Sequence, residues 1–340
     1  MKLKKSGLFK GACLLSVLAL NACGQAQLEQ QSTIQAQTEN KQIQSETAFI
    51  FSSFRGNGQD GLHLAYSHDA LNWTAINQDN SLLSPQVGGK LMRDPCIIKG
   101  PDGKFHMVWT SSWEDGGIGI AHSDDLINWS EQKFIPTMQD FPTAKNAWAP
   151  EIFWDQQTQQ YLIYWASTIP GSYPETEKQA DKGWDHRIYA VTTKDFESYS
   201  DTFLLLQPDF NVIDSTMINV DDEYIMVLKD ETRYPPAKNL RVAVAQSALG
   251  PWHVDEKAFT PKDVWVEGPT IAEYQDWFYV YFDEYTNHNY GVMRTQDFDN
   301  WELVSDDLNM PKGSRHGTIV EVSQATLDNL LTHFGQNQSE

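Results

Sequence analysis

Asp94-Pro95-Cys96-Ile97-Ile98, then Gly100-Pro101-Asp102-Gly103, Phe105 to Thr110, Ile118 to Ser123 and Trp129 read in order as strand, hairpin turn, strand, strand and a closing aromatic. Pro-Asp-Gly is hairpin chemistry, and the apolar runs on either side are short enough for strands. The same grammar recurs along the chain. Trp148 to Trp154, Gln160 to Ala166 and Arg187 to Thr192 form one unit; Asp214 to Val220, Glu223 to Lys229 and Leu240 to Ser247 form the next. Glu267 to Tyr274, Trp277 to Tyr285 and Tyr290 to Thr295 follow. Each unit closes on a Ser/Thr-led polar turn and an aromatic at 73, 129, 199, 252 or 301, which lie 56, 70, 53 and 49 residues apart. Four-stranded propeller blades repeat at about 40 to 50 residues. The fold class is therefore an all-β, five-bladed β-propeller. An all-β sandwich also offers many short strands, but not five similar units in cyclic order.

One blade is split between the ends. Phe49 to Phe54, Gly61 to Ser67 and Trp73 to Ile76 supply three strands, and His316 to Val322 is expected to fill the missing inner place. Ring closure by strands from both ends removes free sheet edges. Behind it, Leu327, Leu330, Leu331 and Phe334 recur at i, i+3, i+4 and i+7, predicting a short amphipathic C-terminal helix that packs outside the propeller. The expected organisation is 1–22 export signal, 23–46 tether, 47–322 propeller and 323–340 helix and tail.

The first segment carries Lys2, Lys4, Lys5 and Lys10, an apolar run from Ala12 to Leu20, and Leu20-Asn21-Ala22-Cys23. That is the pattern of an export signal. Its end resembles a bacterial lipobox, which makes Cys23 the expected lipidation site and the cell envelope the expected location. Residues 24–46, rich in Gln, Glu, Ser and Thr, are too polar for a core and read as a tether. Loss of the four leader lysines takes the formal charge from −21 to −25. Such a charge disfavours nucleic acid and other polyanions and leaves neutral glycans open. Within the folded body Cys96 stands alone, so no intramolecular disulfide is expected there. The only membrane contact expected is the lipid anchor, and a monomer is expected.

In a propeller the heads of the innermost strands converge on one mouth. The residues read at those heads are Asp94, Glu151, Asp214, Glu267 and His316. A lone acid is usually solvated surface. Three acids at one blade position point to an active site.

Asp94-Pro95, Trp148-Ala149-Pro150-Glu151, Ile213-Asp214, Glu267-Gly268-Pro269 and His316-Gly317 together resemble glycoside hydrolase family 43, five-bladed propellers that cleave glycosidic bonds with inversion. The resemblance spans essentially the whole body. It implies Asp94 as general base, Glu267 as general acid and Asp214 as the residue that tunes and orients the acid. Inversion needs a carboxylate to activate water and a carboxylic acid to protonate the leaving oxygen, about 6.5 to 9.5 Å apart. On this reading Asp214 and a shielding Trp265 keep Glu267 protonated, and Arg93 keeps Asp94 ionised. Glu151 is expected to bind a sugar hydroxyl, with the acid role as its alternative. His316 either helps hold a calcium ion, as family members do, or hydrogen-bonds a catalytic carboxylate; Arg315 can pair with a carboxylate. Trp148 and Trp265, with Trp113 or Trp184, are candidates to stack on sugar rings. No cofactor is required for the bond cleavage. The implied activity is exo-hydrolysis of α-L-arabinofuranosyl or β-D-xylosyl ends, with galactosyl ends also open; a catalytically silent glycan-binding surface lipoprotein and a protein-interaction ring are the competing readings. The segment from Thr168 to Trp184 is expected to shape the pocket rim.

Overall fold

The computed structural model describes residues 47–336. The export signal, the tether and Cys23 lie outside the described residues. In chain order the strands are β1 (Thr47–Ser53), β2 (His63–Ser67), β3 (Thr74–Ala75), β4 (Arg93–Lys99), β5 (Phe105–Thr110), β6 (Ile118–Ser123) and β7 (Lys133–Ile135). Next come β8 (Trp148–Asp155), β9 (Gln160–Thr168), β10 (His186–Thr193), β11 (Phe203–Leu206), β12 (Val212–Val220), β13 (Glu223–Asp230), β14 (Asn239–Ala245) and β15 (His253–Ala258). The last are β16 (Glu267–Tyr274), β17 (Trp277–Glu284), β18 (Asn289–Thr295), β19 (Glu302–Leu303) and β20 (Ile319–Ser323). The α-helices are α1 (Pro174–Glu177) and α2 (Gln324–Gln336).

These strands form five antiparallel four-stranded sheets, β20-β1-β2-β3, β4 to β7, β8 to β11, β12 to β15 and β16 to β19. The first strand of each sheet touches its counterparts in the order β4, β8, β12, β16, β20 and back to β4. This is a closed five-bladed propeller, and the C-terminal strand completes the N-terminal blade.

The core explains why the strand sequences look as they do. Every apolar cluster straddles a junction between two neighbouring blades, five clusters for five junctions. The second strand of a blade is sandwiched on both sides, so β5 is buried throughout and β13 is buried after its first residue. Period-two alternation disappears there, and the strand reads as a continuous apolar run. The outermost β15 has no such cover and is mostly exposed.

The recurring polar turn has a local cause. Asp69 Oδ1 accepts hydrogen bonds from the backbone N–H of Leu71 (3.0 Å) and Asn72 (2.7 Å). Asp125, Asp195 and Asp297 do the same for the two residues lying two and three positions on. These bonds hold Ala70, Leu126, Phe196 and Phe298 in the left-handed region, with φ between 59 and 63°, where a side chain is ordinarily disfavoured. The turn then seats the following aromatic against its blade.

Candidate functional site

The heads of the inner strands are bent by β-bulges. Pairing slips between Arg93 and Cys96 on β4, Trp148 and Glu151 on β8, Ile213 and Ser215 on β12, and Glu267 and Thr270 on β16. Inside each slip one residue has positive φ: Asp94 (51°), Ala149 (47°), Asp214 (48°) and Gly268 (59°). Such bulges re-aim side chains, and the strain of a non-glycine residue there is characteristic of functional sites.

This register corrects the expected alignment of the heads. Asp94 and Asp214 occupy the bulge position, but Glu267 sits one residue earlier, level with Arg93, Trp148 and Ile213. Glu151 sits two residues later, level with Cys96, Thr216 and Thr270. Glu267 nevertheless reaches the same cavity. That cavity, about 200 Å³, is lined by Arg93, Asp94, Thr110, Trp113, Trp148, Ile213, Asp214, Lys229, Glu231, Glu267, Arg315 and His316.

Asp94 Oδ2 accepts from the Thr110 hydroxyl at 2.8 Å, and that same hydroxyl oxygen accepts from the Ala149 N–H at 2.7 Å. His316 Nδ1 stands 3.5 Å from Asp94 Oδ1 and 3.7 Å from Asp214 Oδ2. The Asp94 and Asp214 carboxylates are thus brought together at one nitrogen of a single imidazole. Asp214 Oδ2 also accepts from the Gly268 N–H at 3.0 Å, which ties it to the strand head carrying Glu267. Glycine is required at 268: a Cβ there would meet the His316 ring at 2.4 Å, and its φ is positive.

Glu267 is gripped at both oxygens. Arg315 Nη2 reaches Oε1 at 3.2 Å and Lys229 Nζ reaches Oε2 at 3.3 Å. The grip extends on either side into an alternating series. Arg315 Nε donates to Asp283 at 2.7 Å, Lys229 pairs with Glu231 at 2.6 Å, and Glu231 pairs in turn with Lys238. Lys229, Asp283, Glu231 and Thr110 were not singled out from sequence. Thr110, Lys229 and Asp283 are the cross-strand partners of Arg93, Ile213 and Glu267 respectively. Hairpin register was therefore the signal that could have found these three, but not Glu231.

Burial drives the Asp214 carboxyl up to about 6; the neighbouring charges of His316 and Lys229 oppose the rise, and those of Glu267 and Asp94 add to it. Asp283 is likewise raised to about 6, first by burial and then by Glu267, against the pull of Arg315. A raised carboxyl favours the folded state below the unfolded value near 4, and that contribution is lost as pH rises through about 6. Asp214→Asn, which keeps an acceptor for Gly268, is therefore expected to raise stability at pH 8 by about 1 to 3 kcal/mol. The gain should vanish by pH 4, as thermal melts at the two pH values would reveal. An unchanged or lowered Tm at pH 8 would contradict the assignment.

Glu151 does not line the cavity. It is buried in the tier below, where Thr216 donates to it at 3.2 Å and its carboxyl is pushed up to about 8, chiefly by burial. That placement answers neither the sugar-binding nor the acid expectation for Glu151. Trp265 also stands outside the cavity wall, with the Arg233 guanidinium 4.8 Å from its ring centre. Trp148 does line it, stacked on Trp184 at 4.7 Å and 22° and edge-on to Trp113 at 5.4 Å. Trp184 comes from the third-blade insertion, which meets the cavity only through this stack on Trp148 and supplies none of its lining residues. The insertion is pinned by buried polar bonds: Thr176 of α1 donates to Asp185 (2.6 Å) and accepts from Arg187 (2.6 Å).

His316 faces two carboxylates at hydrogen-bonding or ion-pair range. A calcium ion asks for six to eight oxygen ligands, and among the described residues no three His, Cys, Asp or Glu side chains converge as a metal cage. Direct protein ligands alone would thus leave most of that shell to water, and no step below runs through a metal.

Residues 44–328 match the model of a family related to glycosyl hydrolase family 43, described as "Probable glycosyl hydrolase domain". An α-L-arabinofuranosidase of Bifidobacterium longum subsp. longum is 21% identical over 86% of this chain, which spans only 30% of that protein's length. The structure resembles the arabinanase Arb43A of Bacillus subtilis with a TM-score of 0.51 at 15% identity, covering 71% of this chain and 90% of that one. It also resembles a variant of the family-43 protein BlXynB of Bacillus licheniformis, with a TM-score of 0.52 at 17% identity over 71% of this chain and 47% of that one. Identities this low speak for the fold alone, and the family assignment rests on the match over residues 44–328. The chain belongs to the glycosyl hydrolase domain family related to glycoside hydrolase family 43.

Proposed function

We propose that this chain is an inverting glycosidase that removes α-L-arabinofuranosyl or β-D-xylosyl ends from glycans. One observation carries the reading: Asp94, Asp214 and Glu267, from three blades, line a single cavity of about 200 Å³. Asp94, held by Thr110 and facing His316, is oriented to activate water as the base. Glu267, on the strand head that Asp214 binds through Gly268, takes the role of the acid that protonates the leaving oxygen. Asp214 fixes the β16 head, which carries Glu267, through the Gly268 N–H. The sequence reading asked Trp265 to shield Glu267; the contacts that surround it are instead those of Lys229 and Arg315. The 21% identical relative named for arabinofuranosidase activity supports the arabinofuranosyl choice.

The test is hydrolysis of nitrophenyl α-L-arabinofuranoside, β-D-xyloside and β-D-galactofuranoside, with the anomer of the first product read by proton NMR. Inverted product is expected; retained configuration defeats the mechanism. Silence on these and on natural arabinans, xylans and galactans, with sugar binding intact, would favour the binding lipoprotein. We propose further that the chain is exported and anchored through Cys23. Cys23→Ser is expected to shift the protein from the membrane to the soluble fraction; unchanged membrane association would refute the anchor.

A further inference from the structure

Three cations line the cavity, and they are not equivalent. Lys229 is matched by Glu231 and Glu267, and Arg315 by Glu267 and Asp283. Arg93 has no carboxylate within ion-pair distance among the described residues. Its guanidinium lies 4.6 Å from the Phe54 ring centre and 4.3 Å from that of Trp113, and Nη1 donates to Asn57 Oδ1 at 3.1 Å. Asn57 Oδ1 also accepts from Trp113 Nε1 at 3.0 Å, so cation and ring are fixed together. An arginine held by aromatic contacts and one amide is preorganised, and its fork of N–H donors suits a carboxylate bidentately.

Exposure places this group toward the mouth. Asp214 and His316 are each 5% exposed, whereas Trp113, against which Arg93 rests, is 44% exposed. The deep end holds the acids around the scissile sugar, and Arg93 meets what lies next to it. We infer that Arg93 receives the carboxylate of an acidic sugar neighbouring the cleaved end, so that the substrate is a pentosyl end borne on a uronic-acid-containing glycan. This rests on the glycosidase reading above and narrows it, with Arg93 a local cationic exception to the bias of a strongly acidic chain toward neutral glycans.

The experiment uses the full chain and one polymer in two forms: a pentose-substituted galacturonan, and the same polymer after its carboxyl groups are reduced to alcohols. Pentose release at sub-saturating substrate gives kcat/KM for each. Wild-type protein is expected to prefer the acidic form by about 10- to 100-fold, the range of a charge-assisted hydrogen bond. Added salt should erode the preference. Arg93→Gln should bring the ratio close to one, and Arg93→Lys should keep part of it. Equal wild-type rates on the two polymers overturn the inference and leave the glycosidase reading standing. So does an Arg93→Gln protein that loses rate equally on both, since Arg93 would then serve Asp94. If neither polymer is cleaved, the nitrophenyl glycosides decide the glycosidase reading, and titration calorimetry with a galacturonate trisaccharide decides for Arg93 alone. Heat that disappears in Arg93→Gln supports the carboxylate site, and no heat or unchanged heat refutes it.

Discussion

Asp94→Asn and Glu267→Gln are each expected to lower kcat by about 10² to 10⁴ while the protein keeps its melting transition. Both changes preserve shape and the ability to accept a hydrogen bond. Thr110 can still donate to residue 94, and one of Lys229 and Arg315 can still donate to the amide oxygen at residue 267, the other facing its NH2 group. What disappears is proton transfer. The two losses should differ in kind, and the difference assigns the roles. A nitrophenolate departs readily without a proton, so Glu267→Gln should be mild on nitrophenyl glycosides and severe on natural oligosaccharides. Asp94→Asn removes the group that activates water, a requirement common to every leaving group, so its loss should be similar on both substrate types. Equal sensitivity of Glu267→Gln across leaving groups would remove it from the acid role, and wild-type turnover in either variant would remove that residue from the chemistry.

The propeller was legible because its period is written in chemistry that local physics enforces. The Ser/Thr-x-Asp turns at Ser67, Ser123, Thr193 and Thr295 support left-handed residues through side-chain acceptors, so their spacing survives as a visible repeat. The fourth blade departs from it, turning at Ser247 through Ala248, Leu249 and Gly250 (φ 82°) with no aspartate. The site was legible in part. Its acids were found because carboxylates are rare at strand heads, but their alignment was misjudged because bulges displace register without altering composition. Four tetrads align once the bulge residue is taken as the anchor, and a fifth matches them with His316 in its place: Arg93-Asp94-Pro95-Cys96, Trp148-Ala149-Pro150-Glu151, Ile213-Asp214-Ser215-Thr216, Glu267-Gly268-Pro269-Thr270 and Arg315-His316-Gly317-Thr318. The first two columns face the cavity, Ala149 and Gly268 excepted. The fourth forms its floor, which is why Glu151 belongs with Cys96 and three threonines rather than with the catalytic acids. Lys229 and Asp283 escaped notice for another reason. They lie at the far ends of apolar second strands, where a charge looks like a strand terminus until cross-strand pairing sets it opposite Ile213 or Glu267.

Removing residues 313–340 is expected to abolish cooperative folding of the whole ring rather than to trim one blade. The reason is that blade closure uses one short segment for several junctions at once. Thr318 accepts from the N–H of Ile97 at 3.0 Å and its carbonyl accepts from Ser52 N–H at 2.9 Å, linking the second blade to the first. Ile319 N–H donates to Thr270 at 3.1 Å, adding the fifth. Val322, Leu327 and Leu330 are 2%, 0% and 0% exposed, in the cluster between the first and second blades. Burial of three such side chains contributes roughly 5 to 9 kcal/mol, a large share of the roughly 5 to 15 kcal/mol that holds a domain together. Loss of β20 would also uncover the edge of β1, an invitation to aggregate. Two milder variants separate closure from simple loss of apolar area. Deleting residues 324–340 removes Leu327 and Leu330 but leaves β20, and should give a cooperative protein that melts earlier. Gly317→Val leaves all the area in place, yet a Cβ at 317 would lie 1.7 Å from the Ser52 carbonyl oxygen, so it should destabilise the ring by several kcal/mol through the junction alone. Denaturant titrations followed by circular dichroism would compare the three. A 1–312 protein that unfolds cooperatively at the wild-type midpoint would mean that the ring does not depend on its C-terminal strand.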